Sequence, residues 1–486
     1  MADKGKRTVG YKDMREYIEL LDKNGQVKHV TAPVDLKFEL GAICARSLDL
    51  QGPALIFDTI KGYPGQSFAT NLMSTLEQVA LIFNCEPNET AISDAVYHGM
   101  NNRIASEVVE TAPVKDVIIT GDDIDITKFP TPIWHELDGG AYIATTGGVI
   151  TKHPDTGVHN MGSYRMMIAD KKTLTLTAGG ASAPGAKPTE GGGYGGKGDV
   201  KGGAHILMHE QRGERAPVAL ALGMDPLLVL ASGTAVPADS KGMSEYEGAG
   251  GWRGEPTVLV KCETSDLLVP AYAEMIVEGY ATPRRVHEGP HGESTGFYGE
   301  NPSAFEIEIT CITHRRDPIQ YGLICQQIED YPRTLLRSGS VKSVLVNKAG
   351  LTNVKEVRFP EVGRNGMLVI AADIQDRDEP RKIMEGAWDQ LQYRWIIVVD
   401  EDCDVDNWLD ILWRVCSAVD VERDVVAGPK KVIRGRGGVM DFDPPDNGLG
   451  IDATMKFKET PEFPPVNKVS RNLMDDIKAR WSEFMS

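Results

Sequence analysis

Short β-rich segments dominate the middle of the chain and restrict its fold more than any other feature. They alternate with Gly, Pro, Asp and Asn turns over residues 117–316. The clearest are Val117–Thr120, Gly147–Thr151, Val218–Leu222, Thr257–Lys261 and Phe305–Arg315. In the last segment charged and apolar residues alternate, which is typical of a strand with one face in water. Several such strands without long intervening helices predict a β-barrel or a β-sandwich.

The region before these strands has a mixed pattern. Met14, Tyr17, Ile18 and Leu21 recur at helical spacing, and Gly25 follows as the expected end of that helix. The other segments predicted here are strands at Val27–Val30 and Pro53–Phe57 and a helix at Met73–Phe83. Together they indicate a small α+β unit.

The last third of the chain alternates strands and helices. The continuous apolar run Trp395–Val399 is typical of a strand buried on both faces of a parallel sheet. The other predicted segments are a strand at Met367–Ala372 and helices at Arg381–Leu391 and Trp408–Cys416. A final helix is expected to carry one apolar stripe, able to pack on its own domain or on a partner subunit. That stripe consists of Leu473, Ile477, Trp481 and Phe484.

The charge balance excludes several classes of partner. With 52 Lys and Arg against 70 Asp and Glu, the net charge is −18, whereas nucleic acids and anionic membranes require clustered positive charge. No apolar run reaches the roughly 20 residues of a membrane span, and no secretory signal is evident. The seven cysteines form no CxxC pair, which favours a reducing compartment. We therefore expect a cytoplasmic protein without nucleic-acid or membrane partners.

A Gly-rich segment, Ala178–Gly203, contains an apparent nucleotide-binding pattern. Gly193–Gly198 fits G-x-G-x-x-G, and Gly191–Lys197 nearly fits a phosphate-binding loop. Both motifs need a preceding strand and a following helix, so that backbone amides converge on a phosphate. Because this segment is a run of small and polar residues, we interpret it as a surface insertion and reject dinucleotide binding.

His205 and His209 lie four residues apart in a segment that is expected to be helical. This spacing can present two imidazoles to one metal ion. An isolated pair is more often structural, however, and a metal site would need a further ligand from elsewhere in the chain.

Two carboxylates enclose a short segment rich in Gly and Pro, Glu288–Glu293. Its composition predicts a tight turn that aims both side chains into one site. Paired carboxylates raise one another's pKa, so that one can act as an acid while the other stays charged. A solvated acidic loop is the alternative.

Arg165 lies beside Tyr164 in a predicted strand. A guanidinium in an apolar stretch needs a carboxylate partner, which Glu288 or Glu293 could supply. Asn160, which follows a Pro-Asp-Thr-Gly turn, is ambiguous on its own.

Further short motifs follow one another along most of the chain. They are Gly52–Phe57, Gly62–Pro64, Phe129–Pro132, Leu137–Ile143, Gly157–Arg165, Glu214–Gly223, Ser244–Tyr246, Val260–Cys262, Val269–Ala271, Glu274–Gly279, Glu288–Glu293 and Val399–Asp402. In this order they resemble the UbiD family of reversible decarboxylases, which use prenylated FMN. The specificity lies in the shared order, since no single motif would suffice.

The resemblance assigns a metal site. Asn160, His205 and Glu245 match the family positions that hold a divalent cation, Mn²⁺ or Mg²⁺, which bridges to the cofactor phosphate. A K⁺ ion lies nearby in the family and shares Glu245. Because the segment between Arg165 and His205 is longer than in relatives, His209 stays the alternative ligand.

The resemblance also assigns a catalytic network. Arg165, Glu288 and Glu293 match the Arg–Glu–Glu set of the family. Arg165 is expected to hold the substrate carboxylate, Glu293 to donate the proton that replaces CO₂, and Glu288 to keep the charge of the network in balance. Ser163 and Tyr164, together with Arg165, fall where the family backbone lines the cofactor.

The implied fold is α+β and has three parts. They are an N-terminal α/β unit at residues 1–116, a central split β-barrel that binds prenylated FMN at residues 117–325, and a C-terminal α/β domain at residues 326–486. The last part is expected to mediate oligomerisation, as a homodimer or a hexamer.

The implied reaction is the reversible, non-oxidative decarboxylation of an aromatic or α,β-unsaturated carboxylic acid through a covalent substrate–prenylated FMN adduct. A hydroxylated benzoate is the first expectation for the substrate, and a prenyl-FMN synthase is the expected supplier of the cofactor. Two alternatives stay open. One is a hydrolase that uses Glu288 and Glu293 as its carboxylate pair, and the other is a non-catalytic, cofactor-binding relative.

Overall fold

A computed structural model describes most of the chain. The described residues are 9–178, 202–233, 244–293, 296–325, 338–339, 341–342, 344–360, 366–391, 393–430, 447–455, 467 and 469–484. Most of the Gly-rich segment lies outside this set, so that the surface insertion stays a prediction.

The N-terminal part combines helices with a small sheet. Its elements are α1 (Met14–Lys23), β1 (Val27–Val30), α2 (Glu39–Asp49), β2 (Ala54–Phe57), β3 (Ser67–Thr70), α3 (Leu76–Phe83) and α4 (Glu89–Asn101). The predicted first helix is confirmed, and it begins after Asp13, whose side chain accepts a hydrogen bond from the Glu16 N–H. Helix α3 begins later than predicted because Thr75 and Gln78 form a capping box.

The central part is rich in strands, as the sequence predicts. Its strands are β4 (Glu107–Val109), β5 (Val117–Thr120), β6 (Tyr142–Ala144), β7 (Gly148–Lys152), β8 (His159–Gly162), β9 (Met166–Asp170), β10 (Thr173–Leu176), β11 (Pro217–Leu222), β12 (Val258–Lys261), β13 (Leu268–Pro270), β14 (Met275–Gly292), β15 (Tyr298–His314) and β16 (Ile319–Tyr321). Its helices are α5 (Gly202–Gln211), α6 (Pro226–Ser232) and α7 (Glu245–Arg253). Short 3₁₀ helices lie at Pro113–Lys115, Gly121–Asp123 and Ile126–Lys128.

One large sheet organises the central part. Hydrogen-bonded neighbours follow the order β6-β9-β10-β15-β14-β11-β7-β8, and β5 pairs with β15. Strands β14 and β15 form a long antiparallel hairpin whose register shifts repeatedly between Glu278 and His291. Each irregularity bends the strand and re-aims side chains, and the last of them lies at the predicted carboxylate pair.

The large sheet separates two apolar cores, as strand β11 shows. Val218, Leu220 and Leu222 belong to the core enclosed by the curved sheet. Ala219 and Ala221 belong to the other core, which includes side chains of α1, α3 and α4. Burial on both faces fixes the strands and thereby the residues at their ends.

The N-terminal and central parts share sheets. Strand β16 pairs in parallel with β3, and β4, which precedes residue 116, pairs in parallel with β12. The proposed division after residue 116 therefore separates segments that are hydrogen-bonded to one another, and the domain boundaries stay predictions.

The C-terminal part is an α/β unit. Its elements are β17 (Val354–Arg358), β18 (Met367–Ala372), α8 (Glu379–Gln390), β19 (Trp395–Asp400), α9 (Trp408–Ala418), α10 (Val421–Asp424), β20 (Val425–Lys430), β21 (Asn447–Asp452), α11 (Arg471–Ala479) and α12 (Trp481–Phe484). The sheet order is β17-β18-β19-β21-β20, and β18, β19 and β21 are parallel. The predicted doubly covered strand at β19 is confirmed, since its central residues are buried.

The expectation of one continuous final helix is wrong. The helix breaks at Arg480, whose N–H lies 3.2 Å from the carbonyl oxygens of both Asp476 and Ile477. This shared hydrogen bond tightens the last turn of α11. Leu473 and Trp481 are exposed on the two short helices that result. Within the described residues no helix is both long and apolar enough to cross a bilayer.

We predict that Arg414→Met destabilises the C-terminal part. Arg414 is fully buried, and its guanidinium lies 3.1 Å from Asp400 Oδ2 and 2.9 Å from Asp402 Oδ1. Its loss leaves carboxylates without their counter-charge and should cost about 2–3 kcal/mol of unfolding free energy, since Asp402 is partly exposed. The surface variant Arg381→Met, which breaks an exposed pair with Glu385, should change stability by less than about 0.5 kcal/mol. Calorimetric unfolding of both variants tests this, and equal losses would contradict it.

Candidate functional site

The residues that the sequence singles out lie in two neighbouring groups around the large sheet. Arg165 precedes strand β9, and Glu288 and Glu293 lie at the far end of β14. Asn160 lies on β8, and Ser163, Tyr164 and Arg165 connect β8 to β9. The short connection between β8 and β9 thus joins the two groups.

Arg165 binds both predicted carboxylates. Its Nε and Nη2 atoms lie 3.1 and 2.8 Å from Glu288 Oε2, and its Nη1 donates to Glu293 Oε1. Nη2 also donates to the carbonyl oxygen of Gly299 at 3.3 Å. Arg165 therefore contacts both of the expected carboxyl partners. The alternative of a solvated acidic loop is wrong.

The predicted tight turn between the two carboxylates is also wrong. Glu288 and His291 lie within strand β14, where they pair with Asn301 and Gly299 across an irregular register. Glu293 lies just beyond the strand, and its N–H donates to the carbonyl of Phe297 at 3.0 Å. Local glycine content thus marked a bulged strand end rather than a turn. Arg165 likewise lies just before a strand, not inside one.

The two carboxyl groups of this contact differ in their surroundings. The side chain of Glu288 is fully buried, whereas those of Arg165 and Glu293 are 11% and 10% exposed. Burial, opposed by Arg165 and assisted by the negative charge of Glu288, raises the pKa of Glu293 to about 8. At neutral pH Glu293 therefore holds a proton at the open side of the guanidinium, which suits a general acid.

Glu245 and Asn160 form the centre of the second group. Asn160 Nδ2 donates to Glu245 Oε1 at 3.2 Å, and the Met161 N–H donates to Glu245 Oε2 at 2.9 Å. The hydroxyl of Tyr164 lies 3.5 Å from Asn160 Oδ1. The Ser163 N–H donates to the carbonyl of Ser232 at 2.8 Å, which fixes the backbone that the resemblance assigns to the cofactor.

The two histidines of the expected pair point to different surroundings. His205 is buried, and its Nδ1 lies 2.9 Å from the hydroxyl of Thr151, the register partner of Asn160. The Nδ1 of His209 instead lies 2.9 Å from Glu214. Helix α5 thus places His205 beside Thr151, on the strand that pairs with the strand of Asn160, and it directs His209 to a different partner.

The donor set of the second group fits a hard divalent cation. Burial and neighbouring histidines lower the pKa of His205 to about 3, so that its imidazole is neutral and able to bind a metal. Burial raises the pKa of Glu245 to about 7, and a bound cation would hold it as a carboxylate. Among the described residues no group of three His, Cys, Asp or Glu side chains is placed to hold a metal ion. An amide, an imidazole and one carboxylate leave room for a phosphate to complete such a site.

Helix α5 begins close to this donor set. A Cβ atom on Gly202 would lie 3.1 Å from Asn160 Oδ1 and 3.1 Å from the ring of Tyr164. The Gly202 N–H lies 3.3 Å from the Tyr164 hydroxyl. Glycine therefore allows the N-terminal end of α5, which favours negative charge, to approach the site closely.

Sequence reasoning missed several residues around Arg165, Glu288 and Glu293. Tyr142 donates a hydrogen bond to Glu288 Oε1, and the Thr177 hydroxyl donates to Glu288 Oε2 at 2.7 Å. Asp138 and His291 contact each other next to these residues. Tyr142 and Asp138 belong to the motif Leu137–Ile143, but nothing in its local pattern indicates a contact with a carboxylate far along the chain.

Family models match three consecutive parts of the chain. They describe the 3-octaprenyl-4-hydroxybenzoate carboxy-lyase N-terminal domain at residues 18–93, its Rift-related domain at residues 106–186 and 197–327, and its C-terminal domain at residues 336–442. The matches cover most of the chain.

Solved structures show the same architecture. The UbiD-class enzyme HmfF from Pelotomaculum thermopropionicum, in complex with FMN, is 26% identical, with 96% of this chain and 100% of that chain covered and a TM-score of 0.81. An evolved dimeric form of HmfF, in complex with prFMN, has a TM-score of 0.79 at 26% identity over 96% of this chain and 99% of that chain.

A vanillic acid decarboxylase from Sedimentibacter hydroxybenzoicus, in an open form, is 24% identical, covers 98% of this chain and 99% of that chain, and has a TM-score of 0.81. At that identity the likeness shows the fold alone. The predicted α+β fold is confirmed. The chain belongs to the UbiD family of carboxy-lyases, enzymes that depend on prenylated FMN.

Proposed function

We propose that this protein decarboxylates an aromatic carboxylic acid reversibly and without oxidation, with a hydroxylated benzoate as the first candidate substrate. The observation that carries the proposal is Arg165, held between the buried carboxylate of Glu288 and the acid group of Glu293. The family description names a hydroxybenzoate carboxy-lyase, which supports the choice of substrate class.

Arg165 would bind and orient the substrate carboxylate. A guanidinium forms charge-assisted, often bidentate, hydrogen bonds with a carboxylate. Glu288 occupies Nε and Nη2, and Nη1 is directed to Glu293 on the side that retains some exposure. The buried pair fixes the guanidinium, and an incoming acid would exchange with the Glu293 contact.

Glu293 would supply the proton that replaces CO₂. Its raised pKa supports a proton there at neutral pH, and a substrate carboxylate bound to Arg165 would lie beside that proton. Glu288 would balance the charge of Arg165 throughout. Such general acid catalysis contributes about 10²–10⁴-fold.

Asn160, His205 and Glu245 would hold a divalent cation, Mn²⁺ or Mg²⁺, with K⁺ near Glu245, and Ser163, Tyr164 and Arg165 would line the cofactor. Prenylated FMN, when bound, supplies the electron sink that loss of CO₂ from an sp² carbon requires. The neutral imidazole, the buried carboxylate and the close approach of α5 support this assignment.

Two alternatives are less well supported. A glycosidase-type hydrolase needs two carboxylates that act separately on the bond to be broken, whereas Glu288 and Glu293 share one guanidinium. A non-catalytic relative would have no need of a proton on Glu293. The reversible decarboxylase accounts for both features.

We further propose that the protein works in the cytoplasm as a homodimer or hexamer and receives its cofactor from a prenyl-FMN synthase. Exposed apolar side chains on α9 and on the C-terminal helices support self-association. They include Leu409, Trp413, Leu473, Trp481 and Phe484.

We predict that Glu293→Gln lowers kcat by at least about a hundredfold while prenylated FMN still binds, because the amide cannot donate the replacing proton at a useful rate. CO₂ release from a panel of hydroxybenzoates, together with the cofactor absorbance, measures both. Glu300→Gln is the matched control, since Glu300 lies on the same hairpin and pairs with His287 at the surface. In the wild type, activity should fall as the pH rises through about 8, where Glu293 loses its proton. Near-normal turnover in Glu293→Gln would contradict the assignment.

We predict that His205→Gln weakens Mn²⁺ binding by about tenfold or more and that His209→Gln leaves it unchanged. The reason is the position of His205 beside Thr151, the register partner of Asn160, and of His209 beside Glu214. Electron paramagnetic resonance titration of Mn²⁺, with FMN present, measures the dissociation constants, and thermal unfolding checks that both variants are folded. The reverse order of effects would identify His209 as the ligand.

A further inference from the structure

Glu288 is bonded on both carboxylate oxygens, and the donor at Oε1 has no role in the proposed function. Oε2 receives Arg165 and the Thr177 hydroxyl. Tyr142 on β6 donates to Oε1. Among the described residues, it is the donor at this oxygen. Tyr142 is 1% exposed and Glu288 is fully buried, so the phenol stands where solvent cannot replace it.

The ring of His291 holds this phenol in place. The two ring centroids lie 4.0 Å apart at an interplanar angle of 31°, and His291 is buried. Burial and the charge of Arg165 lower the pKa of His291 to about 3, so that a neutral ring packs on the phenol. Burial and Glu288 raise the pKa of Tyr142 above its ordinary value, which keeps the hydroxyl proton available for donation.

The segment from Asp138 to Tyr142 also supports the chain between the two carboxylates. Asp138 Oδ1 accepts the Gly292 N–H at 2.9 Å, and the Gly139 N–H donates to the carbonyl of Pro290 at 2.8 Å. A Cβ atom on Gly139 would lie 2.0 Å from the carbonyl oxygen of Gly289. The segment from Asp138 to Tyr142 therefore binds the end of β14 and also carries the phenol that contacts Glu288.

We infer that Tyr142 is a positioning residue that holds Glu288 as the charged partner of Arg165. The inference rests on the proposed roles of Glu288 and Glu293. A hydrogen bond to the charged form of an acid stabilises that form.

The described groups that face Glu288 come from several elements. Arg165 approaches from the chain before β9, Tyr142 from β6 and Thr177 from the chain after β10. Asn301 is the register partner on β15 and donates to Thr177 at 3.1 Å. On β14 itself and just after it lie the neutral His291 and the protonated Glu293, and Asp138 stands behind His291. Of these groups, Tyr142 alone donates to Oε1.

Without the phenol hydroxyl, Glu288 becomes a better base. We expect it to bind a proton about tenfold more tightly in Tyr142→Phe, which is the lower end of the effect of a hydrogen bond to a charged group. Because a neutral Glu288 no longer balances Arg165, activity on the acid side of the pH profile should be lost at a pH about one unit higher. The fall in activity at alkaline pH, which we attribute to deprotonation of Glu293, should not shift to lower pH.

Carbon-13 NMR of the full-length protein, labelled at the glutamate carboxyl carbons, tests the inference directly. Glu288→Gln assigns the resonance. We expect its titration midpoint to rise by about one pH unit in Tyr142→Phe, the tenfold change in proton affinity. Tyr280→Phe is the matched control, since Tyr280 lies on β14 and its hydroxyl donates to the Thr264 carbonyl at 2.7 Å. That variant should leave the midpoint unchanged.

A second substitution keeps the shape of the ring. Tyr142→3-fluorotyrosine strengthens the donor and should move the midpoint of Glu288 in the opposite direction, which covers the case in which Tyr142→Phe does not fold. An unchanged midpoint in either folded protein overturns the inference. With prenylated FMN present, the pH profile of kcat gives the second readout. If the wild type releases no CO₂ from any aromatic acid, the proposed function fails, whereas the NMR result stands or falls on its own.

Discussion

The contact of Arg165 with two carboxyl groups is the constraint on which the rest of the site depends. A guanidinium that is only 11% exposed needs a counter-charge, and the fully buried Glu288 provides it. A second negative charge in the same place would be costly, so Glu293 holds a proton at neutral pH. Charge balance at one guanidinium thereby gives two chemically identical side chains different tasks.

The large sheet makes this contact possible. Arg165 lies before β9 and both carboxyl groups lie at the end of β14, and these strands belong to one sheet in which β10 and β15 connect them. Apolar cores on both faces fix the strands. The irregular register near Glu288 turns a regular hairpin into one that aims two side chains at a single partner. Packing of the apolar cores makes the strands rigid, and the bulged end of β14 orients the two carboxyl side chains.

Local chemistry also resolves a conflict in the overall charge. A chain with a net charge of −18 would repel an anionic acid and a phosphate-bearing cofactor at long range. The site opposes this with Arg165 on one side, and on the other with a buried donor set whose Glu245 has a pKa raised to about 7. A bound cation and the N-terminal end of α5 would both favour phosphate there.

The sequence by itself determined the strand-rich centre, the α/β C-terminal part, the family and the residue types of the site, because periodicity and motif order depend on neighbouring residues. Only the tertiary structure placed His205 beside Thr151 and His209 beside Glu214, and replaced the expected turn at Glu288–Glu293 with a bulged strand. It also brought Tyr142 to Glu288 across a separation of 146 residues. Such contacts depend on sheet order and register, which local spacing does not encode.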